Sequence, residues 1–327
     1  GVSMRFVYDN FRNKPFKPLY NALVPKSYRK KWHYNYSEIP TQMRVAEFWQ
    51  DAITKFQNGE IAHYNLTIYK PELVGKKIIW QYWAQGMDNL PELAKICFHS
   101  VDCFKGDYTV IRLSDKDIAN YLDFPEFIAE KRLNSEFRPV FFSDLLRVAL
   151  INNYGGIWLD ASVLMTAQLP EDLIQLPFFM YSREDHSENK DWGLVADHLY
   201  FNWDTNFKVK FLSSIVFGKP KTALSQTLQD LLIYYWQTQN SIEHYFFFQI
   251  LINELKQTNA VAFDFPVVDD TYPHLLQFDL NKPFDKVRYD YIIQKSSLHK
   301  LSFHKKSNDS NNQTFYHYIK HQFLNGY

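Results

Sequence analysis

The sequence has few cysteines, no net charge and no long apolar run. Its two cysteines, Cys97 and Cys103, match neither a zinc-binding nor a redox spacing and suit a reducing compartment. The 36 basic and 36 acidic residues cancel, so bulk charge gives no support to nucleic-acid binding, and we expect no nucleic-acid partner. Because no apolar run reaches about 18 residues and no signal peptide opens the chain, we expect a cytoplasmic protein that does not span the membrane.

Glycine is also scarce where a phosphate-binding loop would need it. A nucleotidyltransferase would carry a glycine-rich basic loop near its first strand, and Gly86 alone does not supply one. Aromatic residues, by contrast, are abundant, with 28 Phe and 22 Tyr in 327 residues. This is more than a core usually needs, so we expect some of them to face ligands or a membrane.

The clearest local pattern lies between residues 142 and 163. Four apolar residues recur at helical spacing after Ser143, a good N-cap residue, and predict a helix over 144–154. The Gly155-Gly156 pair ends this helix, since only glycine takes the left-handed conformation without a Cβ penalty. The apolar run 157–159 then predicts a buried strand.

The charged residues of this stretch fall where ligands bind in open α/β sheets. Asp144 and Arg147 are three residues apart in the first turn of the predicted helix and therefore share one face. Asp160 follows the predicted strand, and ligands bind at the carboxyl ends of such strands. A carboxylate there can hold a metal ion or a sugar hydroxyl. The pattern alone is equally compatible with a salt-bridged helix and a capping aspartate.

The compound motif S-D-x-x-R followed by Y-G-G-I-W-L-D-x-S resembles the donor-site signature of the capsular polysaccharide synthesis proteins. These belong with the DXD-type sugar transferases that include the yeast initiating mannosyltransferase and the large clostridial toxin glycosyltransferases. The resemblance implies the GT-A fold, an α/β Rossmann-like, mostly parallel mixed sheet flanked by helices. It also implies a retaining glycosyltransferase that moves a hexose from a nucleotide sugar to a lipid-linked capsular or cell-surface polysaccharide intermediate. The donor would be UDP-linked, for example UDP-galactose or UDP-N-acetylglucosamine.

The resemblance assigns catalytic roles to Asp144, Arg147 and Asp160. The first two would contact the donor sugar, and Asp160 would hold a metal ion, the ribose or the sugar. The family motif usually reads D-x-D, whereas Ser162 stands at the second aspartate position and removes one negative charge. We therefore expect a divalent cofactor, Mn²⁺ or Mg²⁺, that binds more weakly than in the family at large.

A second segment points to the nucleotide. Residues 78–83 predict the first strand of the catalytic sheet, and a helix and a strand that follow predict a parallel, Rossmann-like pair. In the resembled family the K-I-I-x-Q-x-W strand begins the nucleotide pocket. The resemblance therefore implies that Trp83 stacks on the uracil ring. It also implies that Gln81, Tyr82 and Gly156 bind the nucleotide. From the residues alone, a core or rim tryptophan is the simpler interpretation.

Near the end of the chain, His299-Lys300-Leu301-Ser302 resembles the family's closing H-K-L-T/S element. A neutral imidazole can ligate a divalent metal and an ammonium group neutralises phosphate charge. By the resemblance, Lys300 and Ser302 lie at the donor diphosphate, and the metal ligands are Asp160, Ser162 and His299. Without that context, a surface His-Lys pair is the simpler interpretation.

The N-terminal region has a composition of its own. Residues 4–35 carry eight Lys or Arg side chains against Asp9 alone, interleaved with aromatic rings. Such segments are typical of a membrane interface, although a basic appendage packed on the catalytic domain fits as well. We predict a helical appendage over 1–74 that faces a membrane or the acceptor, and a GT-A catalytic domain over 75–327. The protein would then be peripheral on the inner face of the bacterial plasma membrane.

Two further segments bear on activity. One departs from a family motif, and the other predicts a mobile loop. The family form D-Y-F-x-x-H has His244 at its aspartate position and Gln249 at its histidine position in this chain. Together with Ser162, this leaves a catalytically inactive nucleotide- or sugar-binding relative as the alternative. The polar segment 181–191 predicts a mobile loop near the mouth of the site.

Overall fold

The computed structural model describes residues 4–192, 199–303 and 313–325. Its strands are β1 (Thr67–Ile68), β2 (Ile78–Tyr82), β3 (Thr109–Leu113), β4 (Leu122–Asp123), β5 (Gly156–Leu159), β6 (Val163–Met165), β7 (Phe178–Phe179), β8 (Ile215–Gly218) and β9 (Leu298–Lys300). Its helices are α1 (Met4–Arg12), α2 (Lys17–Leu23), α3 (Lys26–His33), α4 (Ile39–Gln57), α5 (Glu92–Phe104), α6 (Glu126–Arg132), α7 (Pro139–Tyr154), α8 (Glu171–Ile174), α9 (Ala223–Thr238), α10 (Phe247–Gln257), α11 (Leu275–Asp279), α12 (Lys286–Lys295) and α13 (Phe315–Lys320).

The chain divides into two compact units that do not follow a single linear boundary. The smaller unit comprises Gly1–Glu60, Glu188–Lys210 and Ser241–Ala260. The larger unit comprises Ile61–Ser187, Phe211–Asn240 and Val261–Tyr327. Two later segments thus join the N-terminal helices. The division into an appendage over 1–74 and a catalytic domain over 75–327 stays a prediction.

The larger unit is built on a mixed five-stranded sheet in the order β3-β2-β5-β8-β7. Strand β2 pairs in parallel with both β3 and β5, whereas β8 runs antiparallel to β5 and β7. Ile79 and Ile157 pack with Val101 of α5 on one face, and the Trp80 ring lies 5.4 Å from the Tyr154 ring of α7 on the other. The predicted α/β class, with a mixed sheet flanked by helices, is confirmed.

The strand order creates a switch point at the carboxyl ends of β2 and β5. From β2 the chain crosses to β3 on one side, and it later returns to β5 on the other side. Connections that leave in opposite directions open a crevice between the two strand ends, which is where open α/β sheets bind ligands. The first residues beyond these strand ends are Trp83 and Asp160.

The predicted succession of helix, glycine pair and strand is confirmed at α7 and β5. Gly155 and Gly156 have φ angles of 77° and 113°, in the region that favours glycine. A Cβ on Gly156 would lie 2.5 Å from the Ile78 carbonyl oxygen, so glycine is required for β5 to pair closely with β2. The Gly155 carbonyl also accepts a hydrogen bond from the Trp80 indole at 3.0 Å.

The start of α7 differs from the prediction. The helix begins at Pro139 with Arg138 as its N-cap, so the prediction that Ser143 caps it is wrong. Proline suits the first helical position because its missing N–H would have no helical partner there. Ser143 lies inside the helix, and its hydroxyl donates to the Val140 carbonyl at 2.6 Å. Asp144 therefore lies beyond the first turn, deeper in the fold than predicted.

The smaller unit has an aromatic core of its own. Tyr8 of α1, Tyr20 of α2 and Val24, which follows α2, are buried together, and prolines keep these helices short. The 19-residue helix α4 also belongs to this unit, and its Trp49 indole donates to the Phe247 carbonyl at 2.8 Å. Nowhere in the described ranges is a helix both long and apolar enough to cross a membrane.

The polar segment 181–191 is anchored at its start, contrary to the predicted mobility. Arg183 forms two hydrogen bonds with the Asp270 carboxylate, at 3.0 and 3.1 Å, and both side chains are buried. The backbone of Ser182 forms isolated β-bridges with Phe211 and Asp269. A polar residue of this segment, Arg183, thus forms a buried ion pair. Composition alone does not distinguish such a residue from one in a solvated loop.

Candidate active site

Asp160 is held at the end of β5 by two donors on one of its oxygens. The Arg147 Nη1 donates to Asp160 Oδ1 at 3.1 Å, and the Trp158 indole donates to the same oxygen at 2.7 Å. Trp158 and Asp160 are two residues apart, so their side chains leave the same face of the chain. The second oxygen, Oδ2, lies 4.0 Å from the Lys300 ammonium. With 24% of its side chain exposed, Asp160 remains accessible to a ligand.

Arg147 is enclosed by the protein. Its side chain is only 4% exposed, and its guanidinium lies 4.9 Å from the Trp158 ring centroid. Five acceptors lie within 3.3 Å of its nitrogens: the Ser143 carbonyl, the Ser143 hydroxyl, the Ser213 carbonyl, Asp144 and Asp160. Four of these contacts are hydrogen bonds, and the fifth, to Asp144, is an ion pair at 3.3 Å. Arg147 is therefore arranged to position Asp160.

Asp144 shares the Arg147 guanidinium with Asp160 but is buried. Burial raises the pKa of Asp144 to about 7, Arg147 opposes this rise, and the Asp160 charge adds to it. The carboxylate lies 3.3 Å from the guanidinium. The structure thus brings the three predicted catalytic residues together. Their contact with a donor sugar stays a prediction, and the burial of Asp144 and Arg147 favours a positioning role for both.

Lys300 and His299 leave opposite faces of β9. This strand pairs with β6 so that Lys300 faces Val163 and His299 faces Leu164. The Lys300 ammonium donates to the Ser162 hydroxyl at 2.5 Å. His299 is fully buried, its Nε2 lies 2.8 Å from the Thr166 hydroxyl, and burial lowers its pKa to about 3. Its imidazole is therefore neutral at physiological pH.

The predicted metal ligands do not form a set suited to a divalent cation. Mn²⁺ and Mg²⁺ favour several oxygen ligands with at least one free carboxylate. Asp160 instead contacts a guanidinium and lies near an ammonium, Ser162 is neutral, and His299 faces Thr166. Over the described ranges, no three His, Cys, Asp or Glu side chains are grouped to hold a metal ion. Metal binding stays a prediction that this donor set does not support.

The residue predicted to stack on the base is Trp83. It is half-buried at the end of β2, and its ring centroid lies 5.4 Å from that of Phe303. Tyr82 is buried, and its hydroxyl donates to Asp115. Gln81 is fully buried, and its carbonyl oxygen accepts from Arg112 at 2.9 Å. The hydrogen bonds of Tyr82 and Gln81 are thus made to other residues of the protein. Their binding to a donor stays a prediction.

Two other predicted binding residues lie at different places. Gly156 begins β5 and so lies at the opposite end of the strand from Asp160, where close packing on Ile78 explains the glycine. Ser302 follows β9, and its backbone N–H donates to the Gln277 side chain at 2.9 Å. The roles predicted for Gly156 and Ser302 at the donor remain untested.

Sequence reasoning missed three residues that shape this site. Trp158 had a usable signal, because a residue two positions before a strand-end aspartate shares its face. Ser213 contributes a backbone carbonyl to Arg147 at 2.6 Å, and no side-chain pattern marks a backbone atom. Phe303 contacts Trp83 from a distant part of the chain, a pairing that only the folded chain reveals.

Comparison with known proteins identifies the family. No curated protein sequence matches the chain. Among solved structures, one titled PaToxG Glycosyltransferase is similar over 68% of this chain and 79% of that chain, with 11% identity and a TM-score of 0.32, a likeness too slight to carry an argument. The family model described as "Capsular polysaccharide synthesis protein" matches residues 29–319. The chain therefore belongs to the capsular polysaccharide synthesis protein family, as the motif around Asp160 predicted.

Proposed function

We propose that this protein is a glycosyltransferase that moves a hexose from a UDP-linked nucleotide sugar to a lipid-linked capsular polysaccharide intermediate. The observation that carries the proposal is the convergence of Asp160, Arg147 and Lys300 at the carboxyl end of β5. Trp83 stands at the end of the adjacent parallel strand. Family membership supports capsule synthesis as the setting.

The charges in this cluster match the needs of sugar transfer. Cleavage of the bond between sugar and diphosphate leaves negative charge on the phosphate oxygens, and a fixed cation stabilises that charge. Lys300 is the partly exposed cation of the cluster. Asp160 Oδ2 would accept a hydrogen bond from a sugar hydroxyl, while Arg147 keeps the carboxylate oriented. We assign Asp144 to holding Arg147 in place.

We further propose that the anomeric configuration is retained. In that case the acceptor attacks on the face from which the diphosphate departs. The departing phosphate oxygen can accept the proton of the acceptor hydroxyl, so the protein need not supply a separate general base. Trp83 would stack on the base, since an aromatic face offers a nucleobase favourable offset stacking.

A second candidate, a binding protein without turnover, is favoured by two departures from the family motifs. Ser162 replaces an aspartate, and His244 occupies another aspartate position and lies 2.8 Å from the Glu38 carboxylate. Thermal stabilisation by UDP, followed by UDP release from a panel of UDP-sugars, separates the candidates. Stabilisation with release supports the transferase, and stabilisation without release for any donor and acceptor supports the binding protein.

We also propose that α1 to α3 bind the surface of an anionic membrane, where a lipid-linked acceptor resides. Phe16, Leu19 and Leu23 lie at helical spacing along α2 and are 50%, 49% and 66% exposed. Tyr20, the residue that follows Leu19, is buried in the aromatic core of the smaller unit. The same segment of the sequence carries basic residues, which suit anionic headgroups: Arg5, Arg12, Lys14, Lys17, Lys26, Arg29, Lys30 and Lys31.

A further inference from the structure

The turn between β5 and β6 lies beside a fixed ammonium group, that of Lys300 on β9, at a motif position where the family usually has an aspartate. Ser162 occupies that position, and its hydroxyl accepts a hydrogen bond from Lys300 at 2.5 Å. The same ammonium lies 4.0 Å from Asp160 Oδ2. Lys300 thus lies between the two side chains of the D-x-S motif.

Backbone pairing fixes Lys300 at this place. The β6–β9 register sets Lys300 opposite Val163, the residue that follows Ser162. The next backbone N–H, that of Leu301, donates to the Ser162 carbonyl at 2.9 Å. Because the strand alternates, the neighbouring His299 faces the other way, toward Thr166. The ammonium is therefore held by the strand on which it lies and does not depend on a mobile loop.

The formal charges of this arrangement balance without a metal ion. In a D-x-D motif, two carboxylates and one divalent cation sum to zero. Here, beside the Asp144–Arg147 pair that the S-D-x-x-R motif carries in either case, the carboxylate of Asp160 and the ammonium of Lys300 also sum to zero. The loss of one negative charge at Ser162 is thus matched by a fixed single positive charge in its place.

A divalent cation at this motif would meet unfavourable surroundings. It would lie beside the Lys300 ammonium and near the Arg147 guanidinium, and like charges at such distances repel. It would gain one carboxylate that already has cationic neighbours, and one neutral hydroxyl. The residues therefore favour an ammonium over a metal ion.

We infer that Lys300 replaces the divalent cation of the D-x-D motif, so that a nucleoside diphosphate binds, and transfer proceeds, without a metal ion. This inference rests on the proposed function, because it presupposes a nucleoside diphosphate as the leaving group. The ammonium would contact the diphosphate oxygens, and Ser162 and Asp160 would hold it in position. Lys300 is then a specificity residue for the diphosphate portion of the donor.

The test measures binding of UDP, GDP and uridine by calorimetry, in EDTA and in Mn²⁺. We expect a diphosphate affinity that differs by less than about threefold between the two buffers. Lys300→Ala should weaken diphosphate binding by about tenfold or more in EDTA and leave uridine binding unchanged, since a charge-assisted hydrogen bond is lost. Lys300→Arg should recover part of the affinity. Lys295→Ala, at an exposed lysine of α12, is the matched control.

The outcomes separate this inference from the function on which it rests. Binding of UDP or GDP only in Mn²⁺, with no loss in Lys300→Ala, would overturn the inference and leave the transferase proposal intact. Failure of both nucleotides to bind the wild-type protein in either buffer would overturn both. The comparison of the two buffers uses the wild-type chain, so it decides the question even where Lys300→Ala fails to fold.

A converse variant adds a positive test. Ser162→Asp combined with Lys300→Ala recreates a D-x-D motif and removes the competing ammonium. We expect Mn²⁺ to strengthen UDP binding by this double variant by about tenfold or more, whereas it leaves the wild type almost unchanged. An equal Mn²⁺ response in both proteins would contradict the replacement of the metal by Lys300.

Discussion

Arg147 on α7 and Asp160 beyond β5 are joined by a hydrogen bond of 3.1 Å between Nη1 and Oδ1. The same guanidinium binds the Ser213 carbonyl from a third part of the chain, so it ties a helix, a strand end and a loop together. Asp160 is therefore oriented before any ligand arrives. Preorganisation of this kind is what a site needs to stabilise a particular arrangement of charge.

Replacement of Arg147 tests that role. We expect Arg147→Met to lower the free energy of unfolding by about 3–5 kcal/mol, because it leaves Asp144 and other buried acceptors without their cation. Arg147→Lys should cost less, since it keeps the charge but loses the planar fork. Urea unfolding followed by tryptophan fluorescence measures both variants. A loss below about 1 kcal/mol in Arg147→Met would contradict the positioning role.

The raised pKa of Asp144 predicts a specific pH dependence of stability. Its folded pKa of about 7 lies above the ordinary aspartate pKa of 3.8, so the folded state binds more protons between these values. Stability from this group is present below about pH 4 and is lost as the pH rises through 7, by at most about 1.4 kcal/mol per pH unit. Urea unfolding of wild type and Asp144→Asn from pH 4 to 8 should show wild type weakening relative to the variant. Parallel curves would contradict the raised pKa.

Trp83 gives a test of the nucleotide side that is independent of the phosphates. We expect Trp83→Ala to weaken UDP binding by about 1–3 kcal/mol, the contribution of base stacking on an aromatic ring. Inorganic diphosphate should bind this variant as it binds wild type. Tyr69→Ala, at an exposed aromatic residue, is the matched control. Unchanged UDP affinity in Trp83→Ala would assign its ring to packing against Phe303 alone.

The exposed stripe on α2 predicts binding to anionic vesicles. Wild type should co-sediment with vesicles of phosphatidylcholine and phosphatidylglycerol and not with phosphatidylcholine alone. A triple change of Phe16, Leu19 and Leu23 to Ser should abolish this binding, while salt should weaken it through the basic residues. Val267→Ser and Val287→Ser, at exposed apolar residues elsewhere, serve as controls. Vesicle binding that survives the triple change would contradict the proposed surface.

Much of the site could be predicted because its signals are local. The helix over 144–154, the glycine pair and the strand over 157–159 follow from periodicity and from the steric demands of Gly155 and Gly156. The start of α7 was misplaced because Ser143 is a strong N-cap type. Pro139, which suits the first turn, was the better signal.

The remaining features depend on contacts between distant residues. The segments 188–210 and 241–260 join the N-terminal helices through packing that no local pattern reports. Ser213 acts through its carbonyl, which carries no side-chain signature. The side chains of His299 and Lys300, however, point in opposite directions because side chains alternate along a strand. This could have been predicted if residues 298–300 had been identified as a strand.

The most direct test of the central claim is transfer by Asp160→Asn, measured as UDP release from the preferred UDP-sugar in the presence of acceptor. The variant keeps the shape of the side chain and removes its charge, and Asp123→Asn, at an exposed aspartate of β4, is the matched control. We predict that Asp160→Asn unfolds near the wild-type temperature but loses at least about 100-fold in rate, while Asp123→Asn keeps full activity. Wild-type turnover in Asp160→Asn would contradict the assignment of this cluster as the site of sugar transfer.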